Sequence, residues 1–357
     1  MIHKALRHGS LVILAASGLA HAHNSDVAYS QNNLPSQHQV SGYLAKDHPI
    51  LFNADLLIGR IQGSPTNYGQ RYTDDGSDNI TQETFDFPNG THVGFRFGLG
   101  IGLRNDVNLS VQWTRISDNN HESRSFAAVG LARTFNVQMP YNVDDSAYVL
   151  SDAAKLTAFQ DQKYQTVDLL VQTAAWMLNS NTRFQPFGGI RYLEYTRDLC
   201  SKLLNTNTDE FANATSHFRI RSTGVLIGTD IKYLFSKHFF FFSNFTFGIV
   251  GGYHKRDYSA ESDLNAAVTS TWKFHERFRL SFDPMYELRF GFAFETLINK
   301  QWILSIRVSY ELASLIQTSA QSINPFGSLS SAGPVFPLRT NDVVKTQLFL
   351  VGFTVGF

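Results

Sequence analysis

The chain has a single cysteine, Cys200, among 357 residues, so no intramolecular disulfide framework holds it together. Beyond the N-terminus, no stretch approaches about 18 consecutive apolar residues, which excludes membrane-spanning helices. Net charge is also missing: 30 Lys plus Arg stand against 30 Asp plus Glu, so no gross field draws the chain to nucleic acid or to anionic lipid. A mean hydropathy of −0.17 is not that of a helical inner-membrane protein. No catalytic or metal-ligand spacing is found either. His121-Glu122, His217, His254 and His275, with Asp118, Asp257 and Asp263 nearby, read as solvated loop groups rather than a triad or a metal site. No enzymatic activity and no cofactor is expected.

What the chain does have is phenylalanine, at 30 residues, and strict alternation. Residues 1–22 read as a secretory signal, with Lys4 and Arg7 ahead of the apolar run Leu11 to Leu19 and Ala20-His21-Ala22 as the cleavage site. Residues 23–48, rich in Ser, Gln, Asn and His, read as a flexible periplasmic leader, and 49–357 as one domain. From Thr91 to Leu103, Val93, Phe95, Phe97, Leu99, Ile101 and Leu103 take one parity, while Gly94, Arg96, Gly98, Gly100 and Gly102 take the other. Period two means a strand with two unlike faces. At about 3.3 Å per residue it reaches roughly 43 Å, and a tilted strand needs only about 9–11 residues to cross a bilayer.

The same pattern recurs along the chain, and the expected fold is an all-β transmembrane antiparallel up-and-down barrel of about 10 strands (about 8–12). Short turns near Asn105, Ser180, Lys237 and Lys300 alternate with long loops, and both chain ends share the short-turn side, which is expected to be periplasmic. The excursion from Ser117 to Lys163 includes Ser125 to Phe135, read as a small helix or a loop folded into the barrel mouth. Arg197-Asp198 puts charge on both parities, so that strand is expected to end near Arg197. Phe239 to Phe242, beside a turn, reads as part of an aromatic girdle, with a buried core cluster as the alternative. Pro284, on the outward parity, implies a bulge or strand end above the bilayer.

Charge placement sets the parity. Asp55, Arg96, Asp168, Arg191, Asp230, Lys232, Arg279, Asp283, Glu287, Arg289, Glu295, Arg307 and Glu311 all fall on the inner face and are the candidate lumen-lining set. Each Arg or Lys turned to lipid at midplane would cost about 2–4 kcal/mol, against a typical total stability of about 5–15 kcal/mol. Acids and bases nearly balance, so a pore would select weakly by charge. The chain ends with Phe353, Val355 and Phe357 on one parity, which resembles the C-terminal signal read by the outer-membrane barrel assembly machinery.

Several stretches resemble the Legionella major outer membrane protein family of pore-forming barrels. They are Leu51 to Ile61 with Phe-Asn-Ala-Asp-Leu-Leu, Gly94 to Gly100, Asp106 to Arg115 ending Trp113-Thr114-Arg115, Tyr164 to Leu169, and Arg183 to Tyr192 with Pro186-Phe187-Gly188-Gly189-Ile190-Arg191. The resemblance touches most strands, and the long Ser117 to Lys163 excursion departs from it. It implies an outer-membrane barrel of a Gram-negative cell that forms pores and carries no cofactor. The expected function is porin-like passive diffusion of small solutes. The alternative is a non-conducting surface barrel whose external loops bind host or envelope partners. Expected partners are outer-membrane lipid and lipopolysaccharide and the assembly machinery, with homo-oligomerisation allowed and nucleic acid excluded.

Overall fold

Alternation becomes strand because each β residue throws its side chain to the opposite face, and the apolar parity can face lipid only if every backbone donor and acceptor is paired. The computed structural model describes residues 50–63, 67–74, 80–87, 90–103, 107–126, 133–137, 148–149, 154–207, 211–262, 270–298, 302–323 and 339–357. The signal segment 1–22, the leader 23–48 and the turns at Asn105 and Lys300 lie outside the described residues.

The strands in chain order are β1 (Ile50–Gly63), β2 (Asn67–Asp74), β3 (Ile80–Asp86), β4 (His92–Gly102), β5 (Asn108–Phe126), β6 (Arg133–Val137), β7 (Tyr148–Val149) and β8 (Ala154–Gln172). They continue as β9 (Trp176–Met177), β10 (Thr182–Asn205), β11 (Phe211–Leu234), β12 (Phe239–Ser262), β13 (Ser270–Ile298), β14 (Trp302–Ile323) and β15 (Arg339–Gly356). Ten of them, β1, β4, β5, β8 and β10 to β15, form a closed antiparallel barrel. The closing pair joins the first barrel strand to the last, from Leu51 opposite Gly356 to Gly63 opposite Val344. A second sheet has the order β3-β2-β6-β7. Among the described residues there is no helix.

The strands outrun the expected spans. β5 continues to Phe126 and β8 begins at Ala154, paired throughout, so much of the expected excursion is barrel wall. Ser125 to Phe135 is not helical where described: Ser125 and Phe126 end β5, and Arg133 opens β6. β10 does not stop near Arg197 but runs to Asn205. The reason is geometric. Beyond the bilayer both faces of a strand are wet or packed, so charge on both parities carries no penalty there.

Local chemistry sets the short turns. The Asn179 side-chain oxygen accepts from the Asn181 and Thr182 amides at 2.9 and 2.8 Å. Ser236 Oγ accepts from the His238 and Phe239 amides at 3.3 and 3.1 Å. At this end Phe239 stacks on Phe292 with ring centroids 5.7 Å apart, both facing outward. Phe240 instead is buried inside. The run from Phe239 to Phe242 is therefore divided by parity between the lipid-facing belt and the interior.

One irregularity changes the parity of a whole half-strand. Gly252 pairs with Ser281 but Tyr253 pairs with Arg279, so Leu280 is skipped as a bulge. Asp283 opposes the fully buried Val250, whereas Arg279 opposes Tyr253, which is 68% exposed. Arg279 therefore leaves the register that would keep it with Asp283 on the inner face, and its side chain lies outside the described residues. Pro284 stands close to this bulge, next to Met285, where the described pairing with β14 ends.

Glycines on the inner face allow close backbone approach. A Cβ on Gly224 would stand 2.0 Å from the Ile249 carbonyl oxygen, while one on Gly100 would meet nothing nearer than 3.5 Å. Gly224→Val is expected to abolish the compact, heat-modifiable band of the refolded chain on unheated gels, and Gly100→Ala to leave it in place.

Candidate functional site

The inner face carries charge near the chain ends and apolar groups deeper in. β10 displays the succession in one strand: Arg183, Phe187 and Arg191, then Leu193 and Tyr195, then Arg197, then Leu199 and Leu203, all buried. At the end of the barrel that holds the termini, a chamber of about 250 Å³ is lined by Arg96, Asp168, Arg191, Asp230, Lys232, Glu287, Arg289, Glu295 and Arg307, with Asn53, Gln112, Gln172 and Asn244 between them.

Most of this charge is paired. Arg96 donates to Glu311 through both terminal nitrogens at 2.6 and 2.7 Å, and through Nε to Thr114 at 2.9 Å. Arg191 donates to both oxygens of Asp168 at 2.6 Å and to Glu287 at 3.0 Å. Asp55 accepts from Arg289 at 3.3 Å and Arg307 at 3.0 Å. Asp230 accepts from Asn244 at 2.6 Å and Gln172 at 3.1 Å. Lys232 and Arg289 stand over the rings of Phe240 and Phe242 at 5.1 and 5.6 Å. Gly352 makes room for Asp55, since a Cβ there would lie 1.7 Å from Oδ1.

The sequence-derived set is thus divided by the fold. Asp55 and Glu311 stand behind the chamber wall, holding its arginines. Asp283 is not in the chamber; it pairs with His254 at 2.8 Å, both wholly buried. Phe353 faces outward in β15 and Phe357 is exposed at its end; Val355 shares their parity. Phe357 and Ile50 exchange backbone hydrogen bonds at 3.1 and 3.2 Å.

The feature that parity reasoning misses is an apolar layer across the lumen. Leu57, Ile116, Tyr164, Leu193, Ile220, Val250, Met285, Leu315 and Leu348, from nine strands, meet in one buried cluster, each 6% exposed or less. β4 brings Gly94 to the same region, its Cα side against Ile116. Leu57 and Leu350 on the inner parity are the signal that was present in the sequence. Past the layer, Tyr195 donates to Gln162 at 2.7 Å, His92 contacts Asp118 at 2.6 Å, and the Arg197 and Arg256 guanidiniums flank the Phe218 ring. A second apolar cluster follows, in which Phe85 and Phe87, from β3 and just after it, pack with Leu156, Leu199 and Leu203 of the wall.

Breaking a buried ion pair from one side is worth about 3–5 kcal/mol, because it leaves the other charge uncompensated. Arg191→Leu is expected to lower unfolding stability in urea by about that much, and addition of Asp168→Asn with Glu287→Gln to restore most of the loss.

Comparison with known proteins follows this geometry. Three solved barrels are similar to the chain at low identity. The outer membrane protease OmpT of Escherichia coli matches at 10% identity and TM-score 0.39, covering 86% of this chain and 97% of its own. The Pseudomonas putida toluene transporter TodX matches at 8% and 0.34, with coverage of 90% and 92%. A Pseudomonas aeruginosa FadL homologue matches at 8% and 0.25, with coverage of 87% and 90%. No curated protein matches the chain. The family described as Legionella pneumophila major outer membrane protein precursor matches residues 55–354, from Asp55 in the first barrel strand to Thr354 in the last, and the chain belongs to that family of outer-membrane barrels.

Proposed function

We propose that this outer-membrane barrel rests closed to passive diffusion and serves as a surface barrel, presenting the extended ends of its strands outside the cell. The observation that carries this reading is the apolar layer drawn from nine strands, which leaves the charged chamber as a blind recess open toward the chain termini. Ten strands enclose a lumen little wider than the eight-stranded barrels that side chains fill completely. Here buried arginine–carboxylate pairs and apolar side chains occupy it in turn. The pairing of Arg96 with Glu311 and of Arg191 with Asp168 and Glu287 supports a structural rather than a chemical role for this charge.

A second reading, porin-like diffusion of small polar solutes, is favoured by the chamber itself. Its mixed charge would admit either sign of ion, provided that the layer separates. In both readings the termini and short turns face the periplasm and the long strand ends face outward.

Two measurements test this. In planar bilayers the refolded chain is expected to give no discrete conductance steps, and Leu193→Ser with Ile220→Ser, checked for heat modifiability, to give them. Steps from the unaltered chain whose size changes with Arg96→Ala or Arg289→Ala would overturn the closed reading in favour of the porin. The orientation is read at Cys200, half-buried on the outer face of β10 beyond the lipid belt. Burial pushes its thiol up, only partly offset by Lys202, so the reactive thiolate is scarce at neutral pH and grows as pH rises. A membrane-impermeant maleimide is expected to label it in intact cells more slowly than free cysteine at neutral pH, with the rate climbing into alkaline pH. Labelling only after the outer membrane is permeabilised would reverse the orientation.

A further inference from the structure

The outer wall of β5, β8 and β10 to β13 is layered by register. Trp113, Val167, Tyr192, Thr223 and Gly251 lie level with one another across β5, β8, β10, β11 and β12, at the edge of the apolar belt. One step outward, Arg115, Gln165, Glu194, Arg221 and Tyr253 are level. The next level holds Ser117, Lys163, Thr196, Arg219, Lys255 and Arg277. The level after that holds Asn119, Asp161, Asp198, His217, Asp257 and His275. The belt edge thus carries Trp113 and Tyr192, the next row the two cations Arg115 and Arg221 beside Glu194, the third four cations among six residues, and the fourth mainly carboxylates and histidines.

The middle rows are partly built. Glu194 Oε1 accepts from Arg219 Nε and Arg221 Nε, each at 3.0 Å, and from a terminal nitrogen of Arg219 at 2.5 Å, which sets two guanidiniums side by side. Lys163 reaches back to Asp161 at 2.7 Å, and Lys255 contacts Asp257. Burial would raise the Asp257 carboxyl, but Lys255, His275 and His217 overcome this and hold it below the usual range, so that carboxylate stays anionic. These pairs are partly exposed to solvent, where ion pairs are weak. A phosphate therefore competes for the cations at little loss, and Arg accepts it in a bidentate fork.

We infer that this face binds the phosphate-bearing headgroup of an outer-leaflet glycolipid, with Arg219, Arg221, Lys163, Lys255, Arg115 and Arg277 holding the phosphates while the acyl chains lie on the apolar belt below. The arguments are charge complementarity and continuity: the cations stand one step outside a surface that lipid already covers. A divalent cation bridging headgroup phosphates would meet Asp161, Asp198 and Asp257 in the next row. The assignment rests on the outward orientation of the long strand ends proposed above.

The test titrates the refolded full chain, in a detergent with a neutral headgroup, with fluorescent diphosphoryl lipid A. Arg219→Ala with Lys255→Ala is expected to weaken binding at least tenfold while the heat-modifiable band persists. Lys345→Ala, on the outer face of β15, is expected to leave binding unchanged. Excess inorganic phosphate is expected to lower binding only in part, because it can take the cations but lacks the acyl chains that the belt receives. Equal binding by the double variant, or full displacement by inorganic phosphate, would overturn the site. The orientation fails separately, through the Cys200 labelling in cells, because binding in detergent does not depend on which way the barrel was inserted.

Discussion

Everything in this structure depends on the pairing of the first barrel strand with the last. In hydrocarbon an unpaired backbone amide has no water to fall back on, so a sheet can cross only if it has no edge. The β1–β15 pair removes the final two edges, over the register from Leu51 with Gly356 to Gly63 with Val344. It joins segments about 300 residues apart, so it closes the longest loop in the barrel and carries the largest closure entropy. Neighbouring hairpins such as β11–β12, joined across Ser236, are local by comparison.

Closure at ten strands then dictates the interior. The circumference is fixed, the inner parity must be filled, and the chain fills it with alternating polar and apolar strata rather than leaving it aqueous. Burial of Arg96 and Arg191 is tolerable because acids are in reach, Glu311 for the first and both Asp168 and Glu287 for the second. The apolar stratum needs no partner: its side chains, from Leu57 to Leu348, pack on one another.

Much of the architecture is legible in the residues because a span has a strict rule. Asp55, Arg96, Asp168 and Arg191 share the parity opposite the phenylalanines, and no other assignment keeps them out of lipid. Where that rule lapses, legibility lapses too. Arg197-Asp198 reads as a strand end only if lipid is assumed to continue, and β10 in fact runs on through water to Asn205. The apolar layer is harder to see, because Leu57 and Leu350 share the inner parity with the charges and nothing in the alternation sets them apart. Overall neutrality concealed something as well: the charges sum to zero over the chain yet separate into rows along the outer wall.

The skipped residue at Leu280 has a consequence of its own. A strand is a two-phase pattern, and one supernumerary residue shifts the phase of everything on its far side. Below Leu280, β13 shows odd positions to the interior; above it, His275 and Arg277 are exposed on odd positions and belong to the exterior. The same alternating text is thus printed on the inside of the barrel at one end and on the outside at the other. A single-codon insertion or deletion in this half-strand would exchange its two faces without altering one side chain, which makes the bulge a hinge for evolutionary change of the exposed surface while the membrane-embedded half stays in frame.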